Sequence, residues 1–131
     1  MKYFWSVLTA VCGVVLFIGS NSSASRIAFA ATGGNQGKEI YEKRCTGCHA
    51  LDNEKTGPHL RDVYGRPAAR LSTFPYSKAL RQSGLVWDGN SLDKWLTDPD
   101  RFVPDNDMAF RVPNPEERAA IIGYLKQLSG K

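Results

Sequence analysis

Apolar positions along this chain fall into one long uncharged run and a few short periodic sets. The run spans Val7 to Ile18 and follows a basic start at Lys2. A polar stretch, Ser20 to Ser25, comes next, and then the small-x-small triplet Ala28-Phe29-Ala30. That order is the layout of a secretory signal, with cleavage expected before Ala31. The uncharged span from Tyr3 to Gly19 also falls just inside the lower length limit for a membrane-crossing helix, roughly 17 residues. A retained anchor is therefore the competing reading. Residues 1–30 are set apart from the fold, 31–36 read as a flexible lead-in with two glycines, and the domain runs over 37–131.

Within the domain, Ile40, Tyr41 and Arg44/Cys45 recur at three-to-four spacing, which predicts an amphipathic helix over Lys38–Cys48. From Ala50 to Leu85 the chain is broken by Gly57, Pro58, Gly65, Pro67, Pro75 and Gly84. Loops and turns are expected there, with a short helical piece around Tyr76 to Ser83. Asn90 or Ser91 is the expected cap of a helix running to Thr97. Leu92, Trp95 and Leu96 form its inner face, and Asp98-Pro99 stops it. Pro99, Pro104 and Pro113 predict an extended segment around Met108. The last helix is the best marked: Asn114 caps it, Pro115 suits its first turn, and Glu117 lies three residues after the cap. Ile121, Ile122, Leu125 and Leu128 make its buried stripe. Sustained period-two alternation is absent. The expected class is mostly α, with three to five helices and long ordered loops, a proportion that suits a large rigid cofactor supplying part of the core.

Composition narrows the choice further. At 131 residues the chain fits one domain of ordinary hydrophobicity. Loss of residues 1–30 would remove two of the seventeen basic residues, Lys2 and Arg26, and none of the thirteen acids, leaving fifteen against thirteen, or +2. No block of Lys or Arg marks a nucleic-acid binder. Cys12 would leave with the signal. Cys45 and Cys48 then remain as the cysteines, His49 and His59 as the histidines, and Met108 as the methionine. Two thiols three positions apart cannot make the multi-bridge framework of small secreted domains.

Cys45-Thr46-Gly47-Cys48-His49 has the Cys-x-x-Cys-His spacing of covalent c-type haem attachment. Two thiols near one helical turn apart can add to the two porphyrin vinyl groups, and the next residue then places its imidazole at the iron. Two other chemistries remain open at this point. A thiol–disulfide oxidoreductase would use Cys45 as a nucleophile of lowered pKa, usually where a strand enters a helix, and no strand pattern precedes Cys45. A structural zinc site needs four ligands, and only two Cys and two His are on offer. For a haem, Met108 in the proline-stiffened loop Asp105-Asn106-Asp107-Met108 is the favoured sixth ligand. His59, only ten residues beyond His49, is its rival.

From Gly37 to Leu128 the chain resembles the class I c-type cytochromes, the small soluble mitochondrial and bacterial kind. The resemblance rests on Gly37-Lys-Glu-Ile-Tyr41, the Cys-x-x-Cys-His motif, Gly57-Pro58-His-Leu60, Tyr64-Gly65-Arg66, Phe74-Pro-Tyr76-Ser and Gly84-Leu-Val-Trp87. Leu92-Asp-Lys-Trp95-Leu96, Asp98-Pro99, Phe102-Val-Pro104, Met108-Ala-Phe110 and Glu117-Arg118-Ala…Tyr124-Leu125 continue it. It implies a class I cytochrome c fold wrapped around one haem c. Cys45 and Cys48 would attach that haem, and His49 and Met108 would ligate its iron. It further implies that Pro58 offers its carbonyl to His49, that Arg66, Tyr76 and Trp87 hold a haem propionate, and that Gly37 and Tyr41 pack against Ile121 and Tyr124.

The implied role is a soluble periplasmic electron shuttle between redox partner proteins, a donor complex on one side and a terminal oxidase or reductase on the other. Rival functions are a haem peroxidase or ligand-binding protein with a labile Met108, and the thiol–disulfide oxidoreductase. Two departures stand out. Trp95 occupies the place of a tyrosine that hydrogen-bonds near the Met sulfur, which puts that bond in doubt. Asp100, Asp105 and Asp107, beside Arg101 and Arg111, replace the lysines of mitochondrial proteins, so docking is expected to be weak and mainly apolar, through residues such as Phe110 and Val112, or to use a partner with a basic face.

Overall fold

The structure, a computed structural model, describes residues 35–131. The apolar run, the expected cleavage before Ala31 and residues 31–34 of the expected lead-in lie outside the described residues. Helical segments follow in the order α1 over 35–44, α2 Lys78–Gln82, α3 Gly89–Thr97, α4 Pro99–Phe102 and α5 Pro115–Leu128. Among the described residues no strand forms, and sheet pairing is limited to an isolated antiparallel bridge between Pro67 and Val86.

α1 is helical by Asn35, three residues before the expected Lys38, and gives way at Cys45 to turns through Cys48. The Cys45 carbonyl accepts from both Cys48 N (3.1 Å) and His49 N (2.9 Å), so the motif is wound tightly on the helix end. α1 crosses α5 at Gly37. A β-carbon there would lie 2.3 Å from the Ala120 carbonyl oxygen and 2.9 Å from Tyr124 Cβ, which only glycine avoids. One turn on, the Tyr41 and Tyr124 rings meet at 5.4 Å between centroids. Glu117 does not close a capping box; it pairs at 2.7 Å with Arg44 of α1 and pins the crossing, while Asn114 alone caps α5 by accepting from Glu116 N and Glu117 N.

α3 starts earlier than the sequence predicts. Asp88 is its cap: Asp88 Oδ1 accepts from Ser91 N at 2.7 Å, and Ser91 Oγ accepts from Asp88 N at 2.8 Å, a reciprocal box. Asp98-Pro99 stops α3 as expected, but the chain does not then run extended. The Asp98 side chain accepts from Arg101 N and Pro99 takes the first helical position, so one more turn, α4, forms before Met108. Ser77 caps α2 inside the stretch where a short helix was expected.

α3 packs on α5 and α4. Leu92, Trp95, Leu96, Ile121, Leu125 and Tyr41 form the core with Val63, Trp87, Val103 and Val112. Ile122 and Leu128 are only partly buried against it. Val112 is 0% exposed, its N–H donating to Leu96 O at 2.7 Å, so it belongs to the core and not to a docking face; Phe110 stays 42% exposed.

Candidate functional site

Close-packed interiors hold few voids larger than a water molecule. This domain nonetheless has a cleft of about 250 Å³ cut into its core. Cys45, Cys48 and His49 line it from the end of α1, Leu92, Trp95 and Leu96 from α3, Ile121 and Leu125 from α5, and Met108 from the loop between α4 and α5. A space of that size among apolar side chains suits a large, mainly apolar group.

His49 is held from behind. Its Nδ1 lies 2.7 Å from Pro58 O, and since a carbonyl only accepts, Nδ1 carries the proton and Nε2 keeps its free lone pair. Burial lowers the imidazole's affinity for a second proton, outweighing the opposite pull of the Pro58 bond. Gly57 sets the distance: its N–H donates to Cys48 O at 2.8 Å, and a β-carbon there would lie 2.3 Å from His49 Cε1. The Gly57 backbone thus lies against the imidazole, and no side chain fits between.

The competing chemistries fare poorly. Burial pushes the Cys45 thiol up to about 11, against the weaker opposite pull of Arg44, which is the reverse of what a thiol nucleophile needs. Among the described residues no group of three or more His, Cys, Asp or Glu is placed to hold a metal ion, so the zinc reading falls.

On the far side, Trp95 Nε1 donates to Met108 Sδ at 3.1 Å. The doubt that tryptophan raises at this position is therefore resolved in favour of the bond. Trp95 is itself braced edge-on by Trp87, ring centroids 5.3 Å apart. Asn106 shapes the loop: its Oδ1 accepts from Met108 N at 2.7 Å and its Nδ2 donates to Val103 O at 2.9 Å. Asp105 adopts φ 63°, a left-handed turn that Asp tolerates better than most residues. Sequence reading assigned no role to Gly57 or Asn106. The one available signal for Asn106 is an Asx residue two positions before Met108, the spacing at which such side chains bond the backbone.

Arg66, Tyr76 and Trp87 all line the cleft. The Arg66 guanidinium donates to Arg61 O (3.2 Å) and His59 O (3.1 Å) but pairs with no carboxylate among the described residues, and burial works against its charge. An uncompensated, half-buried cation at the edge of an apolar cleft fits the carboxylate of a large ligand. His59, the rival sixth ligand, does not line the cleft. Paired thiols, a lone-pair nitrogen, a thioether and this cation are together the donor set that a c-type haem requires.

Comparison with known proteins agrees. The family described as Cytochrome c matches residues 35–129. The chain belongs to the cytochrome c family. It is 37% identical over 99 residues to Cytochrome c 2.1 of Caenorhabditis elegans, covering 73% of this chain and 89% of that one. It is 44% identical over 87 residues to Cytochrome c2 iso-2 of Magnetospirillum fulvum, covering 64% and 91%. The solved cytochrome cH from Methylobacterium extorquens superposes with a TM-score of 0.68 at 34% identity, over 72% of this chain and 97% of that one. This cytochrome c has the class I fold, carries one covalently bound haem c with its iron, and serves as an electron carrier rather than an enzyme, exchanging electrons with redox partner proteins.

Proposed function

We propose that this cytochrome is an exported, soluble shuttle that moves single electrons between a donor complex and a terminal oxidase or reductase in the periplasm. Cys45 and Cys48 attach the haem, and His49 and Met108 fill both axial positions of its iron. The observation that carries this reading is that His49 and Met108 line one apolar cleft, each oriented by a partner of its own, Pro58 O and Trp95 Nε1. The haem supplies a one-electron iron couple, and with both axial positions taken no site is left open for substrate. Arg66, Tyr76 and Trp87 hold a propionate.

Export rests on the layout of residues 1–30. No helix among the described residues is long and apolar enough to cross a membrane. Intact mass of the purified protein tests the whole assignment: a chain beginning at Ala31 plus one haem is expected, and acid–acetone should leave the colour on the protein. Colour that leaves with the solvent would refute attachment through Cys45 and Cys48.

Trp95 tunes the couple. An N–H aimed at the ligand sulfur draws density from it and favours the reduced iron. Trp95→Phe is expected to lower the potential by about 40 mV, the equivalent of about 1 kcal/mol for one hydrogen bond and one electron. A voltammogram superimposable on the parent's would refute this.

Docking is the remaining expectation. Arg111 Nη2 pairs with Asp98 and Asp100, both at 2.9 Å, which removes a basic residue from the face beside exposed Phe110. Raising salt from about 0.01 to 0.1 M shortens the screening length from about 30 to 10 Å. The rate of electron transfer to an acidic oxidase should stay within about threefold, against the roughly 10- to 10³-fold that charge steering supplies. A steep fall would reveal a basic docking face.

A further inference from the structure

Met108 lies in a segment, 103–114, that belongs to no helix. Between Val103 N, bonded to Pro99 O, and Val112 N, bonded to Leu96 O, no main-chain N–H of this segment donates to another main-chain group among the described residues. Side chains must therefore hold the sulfur in place. Arg111 grips Asp98 and Asp100 from outside, but its side chain is 47% exposed, where such pairs contribute little.

Arg118 of α5 is different. Its side chain is 11% exposed. Nε donates to Asp93 Oδ1 at 2.7 Å, and Nη1 donates to Val112 O at 3.0 Å and Pro113 O at 2.9 Å. One planar guanidinium thus joins three elements. Asp93 sits on α3 two residues before Trp95, the donor to the Met108 sulfur, and Val112 follows Met108 by four. Charge-assisted bonds of fixed geometry are the strong class of hydrogen bond, and lysine cannot reproduce the fork.

We infer that Arg118 is a positioning residue for the sixth ligand, joining the loop that carries Met108 to the helix that carries Trp95 and thereby keeping outside ligands from the iron. This inference rests on the reading of Met108 as that ligand. When Arg118 is lost, the Val112 N bond to Leu96 O remains as the loop's main-chain tie to α3, and the stretch before it that carries Met108 can shift. Sδ then leaves the Trp95 N–H, and the sixth position opens to any small donor in solution.

The test is imidazole titration of the oxidised holoprotein, read alongside the far-red thioether-to-iron band, well below the unfolding midpoint of every variant. Arg118→Lys is expected to bind imidazole at least threefold more tightly than the parent and to lose band intensity. Leu128→Ala, which removes packing from the far end of the same helix and lies outside the cleft, serves as the control for general loosening and should stay within a factor of two. If Arg118→Lys does not mature, Asp93→Asn, which weakens one of the three anchors, is held to the same threefold threshold. A change below threefold, or an equal gain in Leu128→Ala, overturns the inference. A parent that lacks the far-red band overturns instead the Met108 ligand itself, and this inference with it.

Discussion

Met108→Ala is expected to lower the reduction potential by roughly 0.2 V, a sizeable part of the range of about 0.8 V that axial ligands span. A thioether is a soft donor and raises the potential of a haem iron relative to harder ligands. Removing it hands the sixth position to water or an added base and strands the Trp95 N–H, now without the sulfur that lay at 3.1 Å. Two readouts move together in this case: the voltammetric midpoint falls, and the far-red band of the oxidised protein disappears. Met108→His should lower the potential as well but keep both axial positions filled. His59 does not line the cleft, so it cannot step in as a replacement. A Met108→Ala protein with the parent's midpoint and band would show that some other residue is the ligand.

Much of this architecture is legible in the sequence because local chemistry decides it. Asn114, Pro115 and the apolar stripe on α5 fix a helix start and a buried face without help from the rest of the chain, and Pro115–Leu128 is helical as the pattern predicts. Cys45-Thr-Gly-Cys-His is a motif whose spacing is its mechanism, and the turn that winds onto Cys45 O follows from it. What sequence reading misplaces depends on competition between neighbours. Asp88 outbids Asn90 and Ser91 for the cap of α3 because Ser91 can return its hydroxyl to Asp88 N, a reciprocal arrangement visible only once both are placed. The Asp98-Pro99 pair both stops one helix and starts another, so a stop signal hides α4.

The site divides in the same way. The paired cysteines, His49 and Met108, all four of which the structure places on one cleft, can be picked out by inventory as candidates. Residues that act through geometry cannot. Val112 reads as one more apolar residue near Phe110, yet a backbone bond to Leu96 O turns it fully inward. Trp95 reads as the loss of a hydroxyl donor, yet its indole N–H reaches the same sulfur. Arg118 reads as a helix-surface charge, and only the return of the loop beneath it reveals three acceptors.

Gly57 is the sharpest instance, and the contrast with Gly47 makes it testable. Both are glycines in the loop that frames His49. A β-carbon on Gly47 would meet nothing within 4 Å; on Gly57 it would lie 2.3, 2.7 and 2.8 Å from His49 Cε1, Nδ1 and Nε2. No real β-carbon sits that close, so in Gly57→Ala either the imidazole or the 57–58 backbone must give way. The backbone is tied by Gly57 N to Cys48 O, and the imidazole by Nδ1 to Pro58 O at 2.7 Å, so each escape breaks a bond that orients the ligand. Overpacking alone costs about 1–3 kcal/mol, and leaving the half-buried acceptor Pro58 O without its partner adds about 1 kcal/mol more. Gly57→Ala should therefore lose about 2–4 kcal/mol of stability and show a disturbed haem spectrum in whatever fraction matures. Gly47→Ala, at an exposed position between the two cysteines, should stay within about 0.5 kcal/mol of the parent and keep its spectrum. Denaturant unfolding of the two holoproteins, followed in the haem absorption, makes the comparison. Equal midpoints for Gly57→Ala and Gly47→Ala would mean that the imidazole has room the packing denies it, and that the Gly57 backbone does not set the position of His49.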